Sequence, residues 1–111
     1  MPVFNILHRS TAAVLYTTTA DNLKQAVQRA VAAGTSLANA DLPNADLTQV
    51  NLQGGVFTNA NLAGAKFDGS VLRSTDFTGA NLKNASLVDV LSHKMITSTA
   101  DTTNMTHTPK G

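Results

Sequence analysis

The chain has 111 residues, of which 42% are hydrophobic, 5% aromatic and 14% charged, with no tryptophan and no cysteine. This length accommodates one domain, and the lack of cysteine excludes disulfides, thiolate zinc sites and cysteine nucleophiles. The formal net charge of +1 gives no general attraction to nucleic acid or anionic membranes. Because no apolar run is long enough to span a membrane and no secretory signal is evident, we expect a cytoplasmic protein.

The N-terminal part of the chain predicts a β-hairpin followed by a helix. Val3–Leu7 and Val14–Thr17 are apolar or β-branched runs with a polar segment between them, as in a hairpin. Thr19 or Asp21 is a candidate N-cap of the helix, and Gly34 stands where a helix ends. The apolar residues between them follow helical spacing: Leu23, Ala26, Val27, Ala30 and Val31. We expect this segment to cap one end of the domain.

A period of five residues organises the middle of the chain. From Leu37 to Leu87 every fifth residue is Leu or Phe, and the residue two positions earlier is small or slim. The position between them is often Asp or Asn. Eleven consecutive matches are not accidental, and these side chains are the predicted core: Leu37, Leu42, Leu47, Leu52, Phe57, Leu62, Phe67, Leu72, Phe77, Leu82 and Leu87.

This period fits neither a helix nor a flat strand. Five steps of about 100° would spread the large residues around a helix, and on a strand they would alternate between its two faces. A short extended piece followed by a corner resolves the conflict, and Gly or Asn, which tolerate turn conformations, stands at the corner position of eight units. The segment 57–62 recurs at 77–82 with one substitution, which indicates four units per coil and a square cross-section.

These residues resemble the pentapeptide repeat family, whose pattern is Ala-(Asp/Asn)-Leu-X-X. The matching stretch is roughly residues 35–89, with departures where Val56, Lys66 and Val71 replace the usual polar residue. The resemblance implies an all-β solenoid, a right-handed quadrilateral parallel β-helix with the N-terminal hairpin and helix as its cap. The order of hairpin, helix and repeats is similar to that of small members common in phages and bacterial genomes, which implies a phage or prophage origin.

The repeat pattern ends near residue 90. Ser92 stands where a twelfth Leu is due, and the remaining chain is rich in Thr. We expect Val90, Leu91, Met95 and Ile96 to lie across the last coil as a cap, and we expect mobility beyond about Ser98 unless a partner or a second copy orders the chain. The sequence thus predicts three parts: an N-terminal cap over residues 1–34, a β-helix over residues 35–90, and a C-terminal cap or tail over residues 91–111.

No motif indicates catalysis, a metal site or a cofactor. The histidines, His8, His93 and His107, do not have the spacing of metal ligands, and no local signature of a nucleophile is present. Gly54 and Gly55 are not followed by the Lys and the helix of a phosphate loop. We therefore expect no enzymatic activity and no cofactor.

Function is expected at the outward positions of the coil. Residues twenty apart should stack about 4.8 Å apart, and Asp46, Asp68 and Asp89 gather on one side as a candidate acidic column for partner binding. The alternative explanation of these columns is that their side chains are only exposed to solvent or form hydrogen bonds at the corners. The sequence predicts a non-catalytic protein-binding or assembly module. Its partner is an unidentified protein or a second copy joined through the solenoid ends or the tail, with no direct contact to nucleic acid or membrane.

The resemblance also implies an alternative function, because some long family members imitate duplex DNA and bind DNA gyrase or topoisomerase IV. Eleven units form roughly 13 Å of solenoid, over which duplex DNA carries about 8 negative charges. Residues 35–89 carry five Asp against three Lys and Arg, a net charge of −2. One copy of the chain is therefore too short and too weakly charged to mimic DNA unless several copies stack end to end, and inhibition or protection of these enzymes is the second interpretation of the sequence.

Overall fold

The computed structural model describes residues 1–110, which contain one helix and four short strands. In chain order they are β1 (Val3–Leu7), β2 (Val14–Thr19), α1 (Leu23–Ala32), β3 (Ser86–Val90) and β4 (Thr106–Pro109). β1 and β2 pair in an antiparallel hairpin, and β3 and β4 pair in parallel. The long segment between α1 and β3 is neither helix nor regular strand.

That segment is a β-helix-like coil held by isolated parallel bridges. The bridges join residues twenty apart, from Asp41 and Asn61 at the start to Asn81 and Asp101 near the end. β3 and β4 continue the same register, with Ser86 opposite Thr106. Each coil therefore takes twenty residues, the length that the recurrence of the segment 57–62 predicts.

Every corner of the coil is a β-turn whose third residue has a left-handed backbone. From Asn39 to Asn104, the residue at each of fourteen successive corners has φ between 55° and 74°. Most of these turns are closed by a backbone hydrogen bond, as from the Ala60 N–H to the Phe57 carbonyl oxygen at 3.1 Å. Pro43 fixes a negative φ at the second position of one turn, so the turn that contains Asn44 is of type II.

The Leu and Phe side chains fill the interior of the coil. The eleven residues named above are 0–3 % exposed. Phe77 lies between two other rings, stacked on Phe57 at 5.6 Å and edge-on to Phe67 at 5.5 Å. Small residues such as Ala60 are also fully buried, and they leave the space that these large side chains occupy.

The coil continues beyond residue 90, where the sequence analysis placed the end of the repeats. The Ile96 N–H donates to the Thr75 carbonyl oxygen and the Asp101 N–H to the Ala80 carbonyl oxygen, both at 2.9 Å. The extra coil packs against the core through the partly buried Met95, Ala100 and Met105. At the repeat positions that hold Leu or Phe in the coils above, it carries polar residues that are half-buried or exposed: Ser92, Thr97, Thr102 and His107. The mobility expected beyond Ser98 stays a prediction.

The N-terminal helix has well-defined ends. Asn22, rather than the expected Thr19 or Asp21, is the N-cap, and its side-chain oxygen accepts from the Gln25 N–H at 2.9 Å. At the other end, Gly34 has φ +75°, and its N–H donates to the Val31 carbonyl oxygen at 3.0 Å. A second hydrogen bond of 3.0 Å, from Thr35 N–H to Ala30 carbonyl oxygen, completes a Schellman motif that turns the chain into the coil.

A buried hydroxyl links two neighbouring coils. Ser70 is fully buried, and its Oγ donates to the Leu47 carbonyl oxygen at 2.6 Å and accepts from the Val50 N–H at 3.0 Å. These two backbone groups belong to the corner at Gln49, in the coil above. Ser70 therefore provides the partner that each group would otherwise lack inside the protein.

We predict that Ser70→Ala lowers the free energy of unfolding by about 1–3 kcal/mol, because it leaves a buried N–H and a buried carbonyl without partners. Urea denaturation followed by circular dichroism measures the change. The matched control is Ser98→Ala, which removes an exposed hydroxyl that makes no hydrogen bond within residues 1–110. Equal unfolding midpoints for the two variants would contradict this role of Ser70.

Candidate binding surfaces

The coil presents four sides, which we number by the inward residues that each carries. Side one is built on Leu37, Phe57 and Phe77; side two on Leu42, Leu62 and Leu82; side three on Leu47, Phe67 and Leu87; and side four on Leu52, Leu72 and Ser92. Between successive inward residues, the outward positions form columns in which residues twenty apart are neighbours.

The three aspartates of the expected acidic column lie on side three, in three different columns. Asp46 is bridged to Lys66 in the next coil. The Asp68 carboxylate accepts from the Ser86 hydroxyl at 2.6 Å and from the Val88 N–H at 2.9 Å. Asp89 is exposed at a corner with φ 56°. The structure thus brings the three residues to one side without stacking them, and their role in partner binding stays a prediction.

A second group of aspartates stabilises the corners. The carboxylates of Asp46, Asp76 and Asp101 each accept from the N–H and the hydroxyl of the Thr two residues later, at 2.6–3.1 Å. The hydroxyl bond, followed by the N–H bond, lowers the pKa of each carboxyl below its ordinary value, against a smaller opposing effect of burial. Asn51 and Asn81 accept from an N–H in the same way, at 3.0 Å. Corner hydrogen bonding therefore explains why Asp or Asn precedes so many of the inward residues.

Side four differs from the others because none of its outward positions holds an acidic residue. They are Asn51, Gln53 and Gly54, then Val71, Arg73 and Ser74, then Leu91, His93 and Lys94. A cavity of about 120 Å³ opens here, and it is lined by Arg73, Leu91, Ser92 and His93. Each of the other three sides carries at least one Asp.

The two ends of the coil also differ. At the N-terminal end, two N–H groups of the first coil donate to the hairpin and to α1: the Asp41 N–H donates to the Leu7 carbonyl oxygen at 2.8 Å, and the Asn51 N–H donates to the Gln28 side chain at 2.8 Å. At the C-terminal end, four N–H groups on sides one and two of the last coil, at the positions that pair with a following coil, have no acceptor within residues 1–110. These N–H groups belong to Thr97, Thr99, Thr102 and Asn104. In the preceding coil, the N–H groups at the corresponding positions all donate to carbonyl oxygens of the last coil: those of Phe77, Gly79, Leu82 and Asn84.

The histidines do not assemble a reactive site. The His107 Nε2 lies 3.3 Å from the Ser92 Oγ, but both groups are at the open end of the coil, and no hydrogen bond within residues 1–110 joins a carboxylate to this imidazole. His8 accepts at Nδ1 from the N–H groups of Ser10 and Thr11, so it stabilises the hairpin turn. No cluster of three or more His and Asp side chains in the described part of the chain could hold a metal ion.

Two features of this surface, the Arg73–His93 pair and the open edge, were not predicted from the sequence. Arg73 and His93 stand at the same position of successive coils, twenty residues apart, but this relation is visible only if the coil continues past residue 90. The open edge at Thr97 and Thr102 requires the same continuation. One sequence signal for it exists, because Asp101 and Thr103 repeat the Asp-X-Thr spacing of Asp76 and Thr78.

α1 has ten residues, and no helix within residues 1–110 is long and apolar enough to cross a lipid bilayer.

Comparison with known proteins gives one match. A family model described as pentapeptide repeats matches residues 28–61 and 56–91, with eight copies of the repeat, and these ranges together span more than half of the chain. No curated protein and no solved structure matches the chain.

We predict that the protein loses stability in acid partly through the corner aspartates. Because hydrogen bonds lower the folded-state pKa of Asp76 below the ordinary value of 3.8, its contribution is present above that value and is lost as the pH falls through the lowered pKa. Urea denaturation between about pH 5 and pH 2 measures this loss. Asp76→Asn, which removes the charge, and Thr78→Val, which removes the principal hydrogen bond, should each give a shallower dependence of stability on pH. Slopes equal to that of the unchanged protein in both variants would refute the prediction.

Proposed function

Because the chain belongs to the pentapeptide repeat family, we propose that it is a non-catalytic module for protein binding or assembly, built as a right-handed, four-sided β-helix. In this proposal the hairpin and α1 cap the first coil. The contacts of Leu7 and Gln28 with the backbone of that coil support the capping role, as does the burial of Ala26, Val27 and Ala30.

The observation that carries the assembly function is the open edge of the last coil. A parallel edge with unpaired N–H groups is a template for another β-edge, and the N–H groups of Thr97 and Thr102 lie on such an edge. The polar residues Ser92 and His107, which stand at the repeat positions of the core Leu and Phe, favour hydrogen-bonded pairing at this end over the stacking of a further apolar coil. We infer that the edge pairs with that of a second copy of the chain.

The proposal is tested by measuring the mass of the protein in solution by sedimentation equilibrium. We expect a species of twice the chain mass of 11.6 kDa. Thr102→Pro should give the monomer, because proline removes an edge N–H that makes no hydrogen bond within residues 1–110.

The matched control is Thr58→Pro, which places proline in the same turn position that Pro43 occupies three units earlier. The Thr58 N–H also donates to no acceptor within residues 1–110, but it lies away from the open edge. This variant should retain the dimer. A monomeric parent protein, or a Thr102→Pro variant that dimerises as well as the parent, would refute pairing through this edge.

No observation favours the alternative of a DNA mimic that inhibits or protects DNA gyrase or topoisomerase IV. The coil from residue 35 to residue 110 carries six Asp against five Lys and Arg, so it is nearly neutral. Duplex DNA carries about one negative charge per 1.7 Å of its axis. A phage or prophage origin and a cytoplasmic location stay predictions of the sequence.

A further inference from the structure

The cationic residues of the coil are concentrated on side four, near its C-terminal end. Arg73, His93 and Lys94 occupy its outward positions, and the Lys110 N–H donates to the Val90 carbonyl oxygen at 2.8 Å, which places Lys110 at the same side. These charges have no Asp among the outward residues of their own side.

The coil brings two of these side chains to one cavity. Arg73 and His93 hold the same repeat position in successive coils, and the Ser74 N–H donates to the His93 carbonyl oxygen at 2.9 Å, which fixes the register between the two coils. Both residues line the cavity of about 120 Å³. Since one water molecule takes about 30 Å³ in the liquid, this volume is about that of four waters, enough for the end of an acidic side chain.

The lining of the cavity suits a carboxylate. The guanidinium of Arg73 offers N–H donors in the planar fork that binds a carboxylate through two parallel hydrogen bonds. The Ser92 hydroxyl and the His93 imidazole add further polar groups. Leu91, which is half-buried, provides an apolar wall for the methylene groups of a Glu side chain.

We propose that side four binds an acidic segment of a partner protein and takes one carboxylate into the cavity against Arg73. Charge complementarity selects this occupant, because a side with three lysines and arginines and no Asp at its described outward positions attracts an acidic chain. The proposal deepens the function proposed above, since it names the chemistry of the partner, and it concerns the outward residues of side four, which adjoin the open end at Ser92.

The test is fluorescence anisotropy of a labelled eight-residue peptide of alternating Glu and Gly, titrated with the full chain. The same peptide with Gln in place of Glu is the neutral comparison. We expect the Glu peptide to bind at least about tenfold more tightly than the Gln peptide, since charge-assisted hydrogen bonds form only with the carboxylate.

Arg73→Gln should weaken binding of the Glu peptide by about tenfold. Lys83→Gln on side two is the matched control, since it removes the same charge from another exposed position, and it should leave binding unchanged. Both variants should keep the thermal unfolding midpoint of the parent, because both side chains are exposed.

Three results would overturn the proposal. Equal binding of the Glu and Gln peptides would exclude carboxylate recognition, and equal losses in Arg73→Gln and Lys83→Gln would show a general charge effect. Displacement of the Glu peptide by inorganic phosphate, at concentrations where added chloride of equal ionic strength has no effect, would assign the cavity to a free anion. Dimerisation through the open edge is measured without peptide, so each proposal can fail while the other stands.

Discussion

The β-turn that recurs every five residues is the constraint on which the rest of this structure depends. Its third residue has a left-handed backbone at fourteen successive corners. Because the chain turns at the same position of every repeat, each Leu or Phe side chain points inward. For the same reason, residues twenty apart lie side by side and their backbones form hydrogen bonds. The columns, the charged sides and the open edge all follow from this one geometry.

The corners also explain which parts of the fold the sequence could predict. Asn and Gly accept left-handed backbone at little cost, and they mark the corners of the middle repeats clearly, as at Asn59 and Gly64. In the last coil the corner residues include Lys94 and Thr99, whose φ values of 59° and 55° are unfavourable for such side chains. Hydrogen bonds from the preceding coil to the carbonyl oxygens of His93 and Ser98, directly before these residues, hold the chain in register at both corners. A pattern of residue types along the sequence does not reveal these hydrogen bonds.

The functional surfaces were less predictable than the core for a related reason. Packing repeats the same residue types in every coil, so the core can be read from one period. Surface chemistry depends on which residues are neighbours across coils, as with Arg73 and His93. It also depends on whether a carboxylate already accepts hydrogen bonds from other groups of the protein. Asp68 illustrates the second point, because its hydrogen bonds to Ser86 and Val88 could not be inferred from its charge.

One coil geometry continues to the end of β4, although the repeat pattern of the sequence fades after residue 90. Amide hydrogen exchange followed by NMR tests this most directly. We predict slow exchange for the N–H groups of Ile96, Asp101 and Thr106, which donate to the preceding coil at 2.9–3.0 Å. The Ser98 N–H, which donates to no acceptor within residues 1–110, should exchange fast. Exchange of Ile96, Asp101 and Thr106 as fast as that of Ser98 would contradict the continuation of the coil.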